Sequence, residues 1–331
     1  MKTSFISSIT FVLFLFALSC TDHEPDPTKL TSANFAGQLV TPFAVAKGAN
    51  DYLWVTEVGT GNNDGKVSVI LPNGQVYPAI IGFKSVISPE EGLPDGLTHL
   101  TYKDGFLYVI QGAGGLLYKV DVSKWKPSDG PLAANLLPFE DIGSVVLKTA
   151  KETHLYNLTW GPGGDLYFTD AAANVLVRRK PNGDVSIFTT FEQVDNPLAP
   201  LGPPMTDFVP TGIAYDGTKF LVTSLTGFPF NDGKASIKQV DLNGKVSDYK
   251  GNFTTLVDLA LTPAGKPLVL SFAKFLPPPG NGFQPATGKV LNENGEVLLD
   301  GIMMPTDIER TDDKTYYLVS MALGTVSKLT Y

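Results

Sequence analysis

Oxygen-bearing side chains recur at one phase of this sequence. Asn157, Asp258 and Asp307 stand in Tyr156-Asn157-Leu158-Thr159, Val257-Asp258-Leu259-Ala260 and Pro305-Thr306-Asp307-Ile308, where corresponding segments carry Ala44, Gly96 and Gly212. Hard divalent cations such as Ca²⁺ prefer such donors, so these three are the candidate metal ligands. Without a cation, paired carboxylates repel and at least one is pushed up in pKa. The alternative is a polar channel filled with water.

A second set closes the segments that follow: Glu57, Gln111, Asp170, Ser224, Phe272 and Met321. Of these, Glu57, Gln111, Asp170 and Ser224 are expected to bind ligand, together with His154, which precedes the third unit. Phe228 and Phe230 join them from the loop Leu225-Thr226-Gly227-Phe228-Pro229-Phe230, whose proline and aromatics suit a stiff apolar wall. Of the other histidines, His23 falls in a terminal stretch and His99 is expected to be a buried structural residue. Zinc hydrolysis lacks a second nearby histidine. No Gly-x-Ser-x-Gly elbow and no phosphate-cradling loop appears.

The elements that must position these groups form a repeat. One strand recurs as Tyr52-Leu53-Trp54-Val55-Thr56, Phe106-Leu107-Tyr108-Val109, Asp165-Leu166-Tyr167-Phe168-Thr169, Lys219-Phe220-Leu221-Val222-Thr223, Pro267-Leu268-Val269-Leu270-Ser271 and Tyr316-Tyr317-Leu318-Val319-Ser320. Each follows one of the segments that carry the first set. Asn-Gly pairs at 73–74, 182–183, 243–244 and 294–295 mark hairpins in phase, as two-residue turns with positive φ. The period predicts an all-β protein, a six-bladed β-propeller of four-stranded antiparallel blades. The sixth unit lacks its outermost strand, which Phe35-Ala36-Gly37-Gln38-Leu39-Val40 can supply, so that an N-terminal strand closes the ring. Deleting residues 33–40 is expected to unfold it.

Met1-Lys2 followed by the largely apolar stretch Phe5 to Leu18 has the build of an export signal, too short to span a membrane. It ends in Ala17-Leu18-Ser19-Cys20, similar to a bacterial lipobox, and Cys20 is the only cysteine of the chain. The expected organisation is a signal peptide over 1–19, a lipidated Cys20 opening a flexible tether over 20–32, and the propeller over 33–331. That places the protein in the bacterial cell envelope, lipid-anchored and either periplasmic or surface-exposed. A net charge of -8 opposes nucleic acid and electrostatic docking on anionic lipid, leaving the N-terminal lipid as the membrane contact. The 33 glycines and 25 prolines, without helical periodicity, fit many short strands.

Leu158-Thr159-Trp160-Gly161-Pro162-Gly163-Gly164-Asp165-Leu166-Tyr167, Val209-Pro210-Thr211-Gly212-Ile213-Ala214 and above all Leu225-Thr226-Gly227-Phe228-Pro229-Phe230 resemble the ScyD/ScyE family of exported NHL-like propellers. The resemblance runs from about Phe35 to Tyr331 and implies fold and export more than chemistry. Related lactonase propellers hold a divalent ion through Glu, Asn and Asp, whereas the first unit here offers Phe43-Ala44. Two functions follow. One is a non-catalytic recognition or scaffold protein, binding a small molecule, glycan or protein on its top face, where the inner strands begin. The other is a metal-dependent lactonase- or esterase-like hydrolase with a cation at the channel mouth.

Overall fold

The computed structural model describes residues 25–89, 92–280 and 282–331. The expected signal, Cys20 and the start of the tether lie outside them. Among the described residues, no helix is long and apolar enough to cross a membrane.

Six sheets follow one another along the chain. Their innermost strands are Pro42–Lys47, Leu97–Lys103, Leu155–Trp160, Pro210–Tyr215, Leu256–Leu261 and Pro305–Asp312, which define blades one to six. Each pairs antiparallel with the strand that follows it. Each also packs beside the innermost strands of the blades before and after it, including the first beside the sixth.

The cores lie between blades. Strand alternation sends Trp54 toward blade two, with Leu97, Leu107 and Val109, while Leu53 and Val55 face Val319 and Val326 of blade six. The other four cores repeat the arrangement, one for each remaining pair of neighbours. Every sheet is thus covered on both faces, which is how a propeller hides period-two apolar strands.

The outermost strand of blade six is Thr31–Ala36, antiparallel to Thr325–Thr330 from Thr31↔Thr330 to Ala36↔Val326. The expected strand began at Phe35. Beyond Ala36 the chain turns inward instead, and the Leu39 N–H donates to Gly324 O at 3.1 Å.

Two other expectations need correction. In the Asn-Gly turns only the glycine has positive φ, 83° at Gly74 and 92° at Gly183, for example. Gly74 N–H donates to Leu71 O at 2.8 Å, which makes a type I turn followed by a left-handed glycine, the three-residue hairpin. Blade two has no such turn. Its outer strand is only Phe139–Asp141, while Leu132–Ala133 leaves it to pair parallel with Val76–Phe83 of blade one.

Candidate functional site: the polar ring of the central channel

The six inner hairpins share one irregularity. Register slips between Pro42 and Ala44, Leu97 and Leu100, Leu155 and Leu158, Pro210 and Ile213, Leu256 and Asp258, and Pro305 and Asp307. A bulge re-aims a side chain and takes its N–H out of the ladder. In blades one and three a threonine of the second strand accepts the freed N–H. Thr56 Oγ1 accepts from Ala44 N and Thr169 Oγ1 from Asn157 N, each at 3.0 Å. The same hydroxyls donate to the next blade, at Thr98 O (2.6 Å) and Thr211 O (2.7 Å).

The six residues at the bulges are Ala44, His99, Asn157, Gly212, Asp258 and Asp307. The blade-two member is therefore His99 and not Gly96, a three-residue correction. His99 is buried as expected, but at the ring. Gly212 lies so close to blade five that an added Cβ would stand 2.6 Å from Asp258 Cα.

Each polar member reaches another blade. The Asn157 amide donates to Asp258 Oδ1 at 2.8 Å, and Ile308 N–H of blade six donates to Asp258 Oδ2 at 2.9 Å. Val45 N–H of blade one donates to Asp307 Oδ2 at 2.7 Å. Nδ1 of His99 lies 2.7 Å from Tyr156 O, and since a carbonyl only accepts, Nδ1 carries the proton. That leaves Nε2 as a lone pair, buried without a hydrogen-bond partner and 3.5 Å from Asp307 Oδ1.

Burial governs the charges. It holds His99 neutral, with its pKa pushed down to about 3, so the contact with Asp307 is no ion pair. It raises Asp258 to about 6 against hydrogen bonds that favour the carboxylate. Burial, then the neighbouring Asp258 charge, raises Asp307 well above its usual range, and the same two causes raise Glu309 to about 7.

A cavity of about 300 Å³ adjoins the ring. Its lining runs from the ring toward the ends of the inner strands and includes Thr101, Thr159, Trp160, Leu261, Glu309 and Arg310. Phe43 and Tyr156, one residue earlier than the ring, are outside this lining; Phe43 packs edge-on against Tyr156 (5.5 Å) and His99 (5.4 Å), and Tyr156 lies tilted against His99 (4.9 Å). The channel space therefore lies on the strand-end side, whereas the sequence pointed to the strand-start, or top, side. Lys103 Nζ sits 4.0 Å over the Trp160 ring.

The structure brings Asn157, Asp258 and Asp307 together and adds His99. It does not bring the second set to the cavity. Glu57, Gln111, Asp170 and Ser224 pair with Pro42, Leu97, Leu155 and Pro210, and the corresponding residues of blades five and six are Ser271 and Ser320, not Phe272 and Met321. Most of these groups fasten loops. Glu57 accepts from Val40 N–H (2.6 Å) and Ser68 Oγ and meets Lys66. Asp170 accepts from Thr153 Oγ1, His154 N–H and Ala173 N–H. Ser224 Oγ accepts from Ser236 N–H at 3.0 Å, and His154 Nε2 lies 3.1 Å from Asp95. Phe228 and Phe230 form a cluster with Phe275 and Phe283 on the strand-start face, with Phe228 42% exposed.

Fold and channel together define a six-bladed β-propeller whose solved neighbours are lactonase- and NHL-like propellers. Among them are a gluconolactonase from Xanthomonas campestris (TM-score 0.58, 12% identity, 92% of this chain and 90% of that one) and virginiamycin B lyase from Staphylococcus aureus (0.54, 14%, 92% and 99%). The PQQ-bound aldose sugar dehydrogenase of Streptomyces coelicolor is similar too (0.55, 12%, 92% and 99%). Such identities show the fold alone. No family model matches the sequence, and no curated protein matches it, so the ScyD/ScyE resemblance rests on the quoted motifs.

Proposed function

We propose that the protein is a non-catalytic recognition propeller that takes a small polar molecule into the channel cavity. The observation that carries this reading is the engagement of the ring carboxylates. Three of their four oxygens accept hydrogen bonds that join blades, namely Asp258 Oδ1, Asp258 Oδ2 and Asp307 Oδ2. Groups committed in this way are poor candidates for proton transfer, because the fold depends on their staying put. The cavity supplies what recognition needs: a Trp160 face, the Thr101 and Thr159 hydroxyls, and the charged Glu309 and Arg310.

Export and a lipid on Cys20 belong to the same proposal. Asp26 pairs with Lys266 at 3.5 Å, and Lys266 lies in the turn after the fifth inner strand, on the strand-end side. The stretch from Cys20 to Asp26 reaches at most roughly 20 Å. An anchored protein would thus hold its cavity mouth close to the bilayer, and the aromatic cluster of Phe228 and Phe230 would face away, available to a glycan or protein.

A second reading is favoured by the unpartnered His99 Nε2, which lies 3.5 Å from Asp307 Oδ1, and by the likeness to a gluconolactonase. It is a lactonase- or esterase-like hydrolase. A divalent cation held by His99, Asp258 and Asp307 would polarise a carbonyl and lower the pKa of bound water. Glu309, two residues beyond Asp307 and lining the same cavity, would then be the base to test.

Recognition is tested by titrating the protein with monosaccharides and small organic acids while following the Trp160 contribution to fluorescence, isolated as the difference from Trp160→Phe. Saturable quenching that Ala214→Phe abolishes supports the cavity. Quenching unchanged by that substitution moves the ligand elsewhere.

A further inference from the structure

The mouth of the channel cavity carries charge opposite in sign to that of the chain. Against a net charge of -8, three cations stand at the strand-end side of consecutive blades: Arg310 of blade six, Lys47 of blade one and Lys103 of blade two. Lys47, Trp160 and Arg310 each lie three residues beyond their ring member, hence at one depth, and Lys103 lies four beyond His99.

None of these cations is neutralised by a buried partner. Lys47 meets Asp51 at 2.9 Å and Arg310 meets Asp313 at 3.7 Å, each an exposed carboxylate in the turn that follows its own strand. Such surface pairs contribute little and exchange readily for another anion. Lys103 has no ion pair among the described residues, and its ammonium rests 4.0 Å over the Trp160 ring. Thr101, two residues before Lys103, lines the cavity, as does Thr159 beside Trp160. Among the described residues neither hydroxyl has a hydrogen-bond partner. An ammonium and two uncommitted hydroxyls on adjoining blades are donors that suit an oxyanion.

We infer, building on the recognition reading above, that the molecule taken into the cavity is an anion whose carboxylate or phosphate is held at the mouth by Lys103, Thr101 and Thr159, with Arg310 on the opposite wall. The acids fix its orientation. Asp258 and Asp307 lie at the ring and Glu309 two residues beyond it, beside the lone pair of His99 Nε2. An anionic group is repelled there, whereas hydroxyls, which donate, are taken up. A ligand with its charge at one end and hydroxyls at the other matches this gradient. Lys103 leaves the Trp160 ring to reach the anion, so binding changes the emission of Trp160.

Four probes share one sugar skeleton and differ in charge: glucose, glucosamine, glucuronate and glucose 6-phosphate. Each is titrated into the whole protein, and the Trp160 share of the fluorescence is taken as the difference from Trp160→Phe. The expected result is that glucuronate or glucose 6-phosphate binds at least about tenfold tighter than glucose, with glucosamine weakest; the tighter of the two names the anionic group. Lys103 is half-buried at the surface, and Lys103→Met should erase that advantage while glucose affinity stays within about twofold. Lys274→Met, on the strand-start face, should leave every affinity unchanged. On the unaltered protein, added salt should weaken the anions alone. Glucose binding as tightly as the anions, glucosamine binding tightest, or an advantage that survives Lys103→Met would overturn the anionic ligand; the recognition reading would then stand if Ala214→Phe still abolished binding. No saturable change with any of the four would overturn both.

Discussion

His99 Nε2 and Asp307 Oδ1 face each other at 3.5 Å from different blades, and the only proton of the imidazole points the other way, to Tyr156 O. A neutral acceptor and a carboxyl group are held together there by the surrounding backbone, so the protonation of this region is tied to the stability of the whole ring.

That tie predicts a pH profile for the metal-free protein. The groups facing the centre are His99, Tyr156, Asp258, Asp307, Glu309 and Arg310. Burial raises the three acids, so their stabilisation is fully present below about pH 4 and is lost as pH rises through about 6 for Asp258, about 7 for Glu309 and higher for Asp307. His99, depressed to about 3, acts oppositely, losing stability only as pH falls below about 6.5. Between pH 6.5 and 8 the acids act alone. Urea melts in a chelator should show stability falling across that window, and Asp307→Asn should flatten the slope.

Gly212 predicts a packing limit. A Cβ there would meet Asp258 Cα at 2.6 Å and Leu259 N at 2.7 Å, both backbone atoms that cannot swing aside. Gly212→Ala should cost about 2–3 kcal/mol by denaturant unfolding. Ala44→Gly, at the same place in blade one, should cost less than half as much.

Asp170 distinguishes fastening from binding. Its buried carboxylate accepts from Thr153, His154 and Ala173, which tie together two loops of blade three. Asp170→Ala should lose about 3 kcal/mol of stability. Its affinity for any cavity ligand, measured by the fluorescence titration, should stay within twofold of the parent.

Removal of Thr31–Ala36 should abolish cooperative melting by circular dichroism. It strips the partner from Thr325–Thr330 and opens the core in which Ala36 meets Val319 and Val326. A truncated protein that keeps the parental Tm would show that blade six stands with three strands.

The repeat was legible because the outer hairpins carry Asn-Gly in four blades and the second strands keep their apolar cores. Three of the ring members, Asn157, Asp258 and Asp307, followed from it. His99 did not, because blade two lacks an Asn-Gly turn and a proline at its strand start, so its alignment slipped onto Gly96. The ends of the second strands misled for a different reason. A polar residue there resembles a channel group, yet the loops above it leave N–H groups that need an acceptor, and Glu57 and Asp170 satisfy them. Such needs depend on loop conformation, which no strand pattern reveals.

The most direct test of the recognition reading is turnover. The protein loaded with Mn²⁺ or Zn²⁺ is offered lactones and aryl esters, beside Asp307→Asn and Glu309→Gln, and hydrolysis is followed by acid release. The predicted result is a rate equal to the buffer blank for all three proteins. Hydrolysis by the parent that both substitutions abolish would contradict it and make the channel an active site.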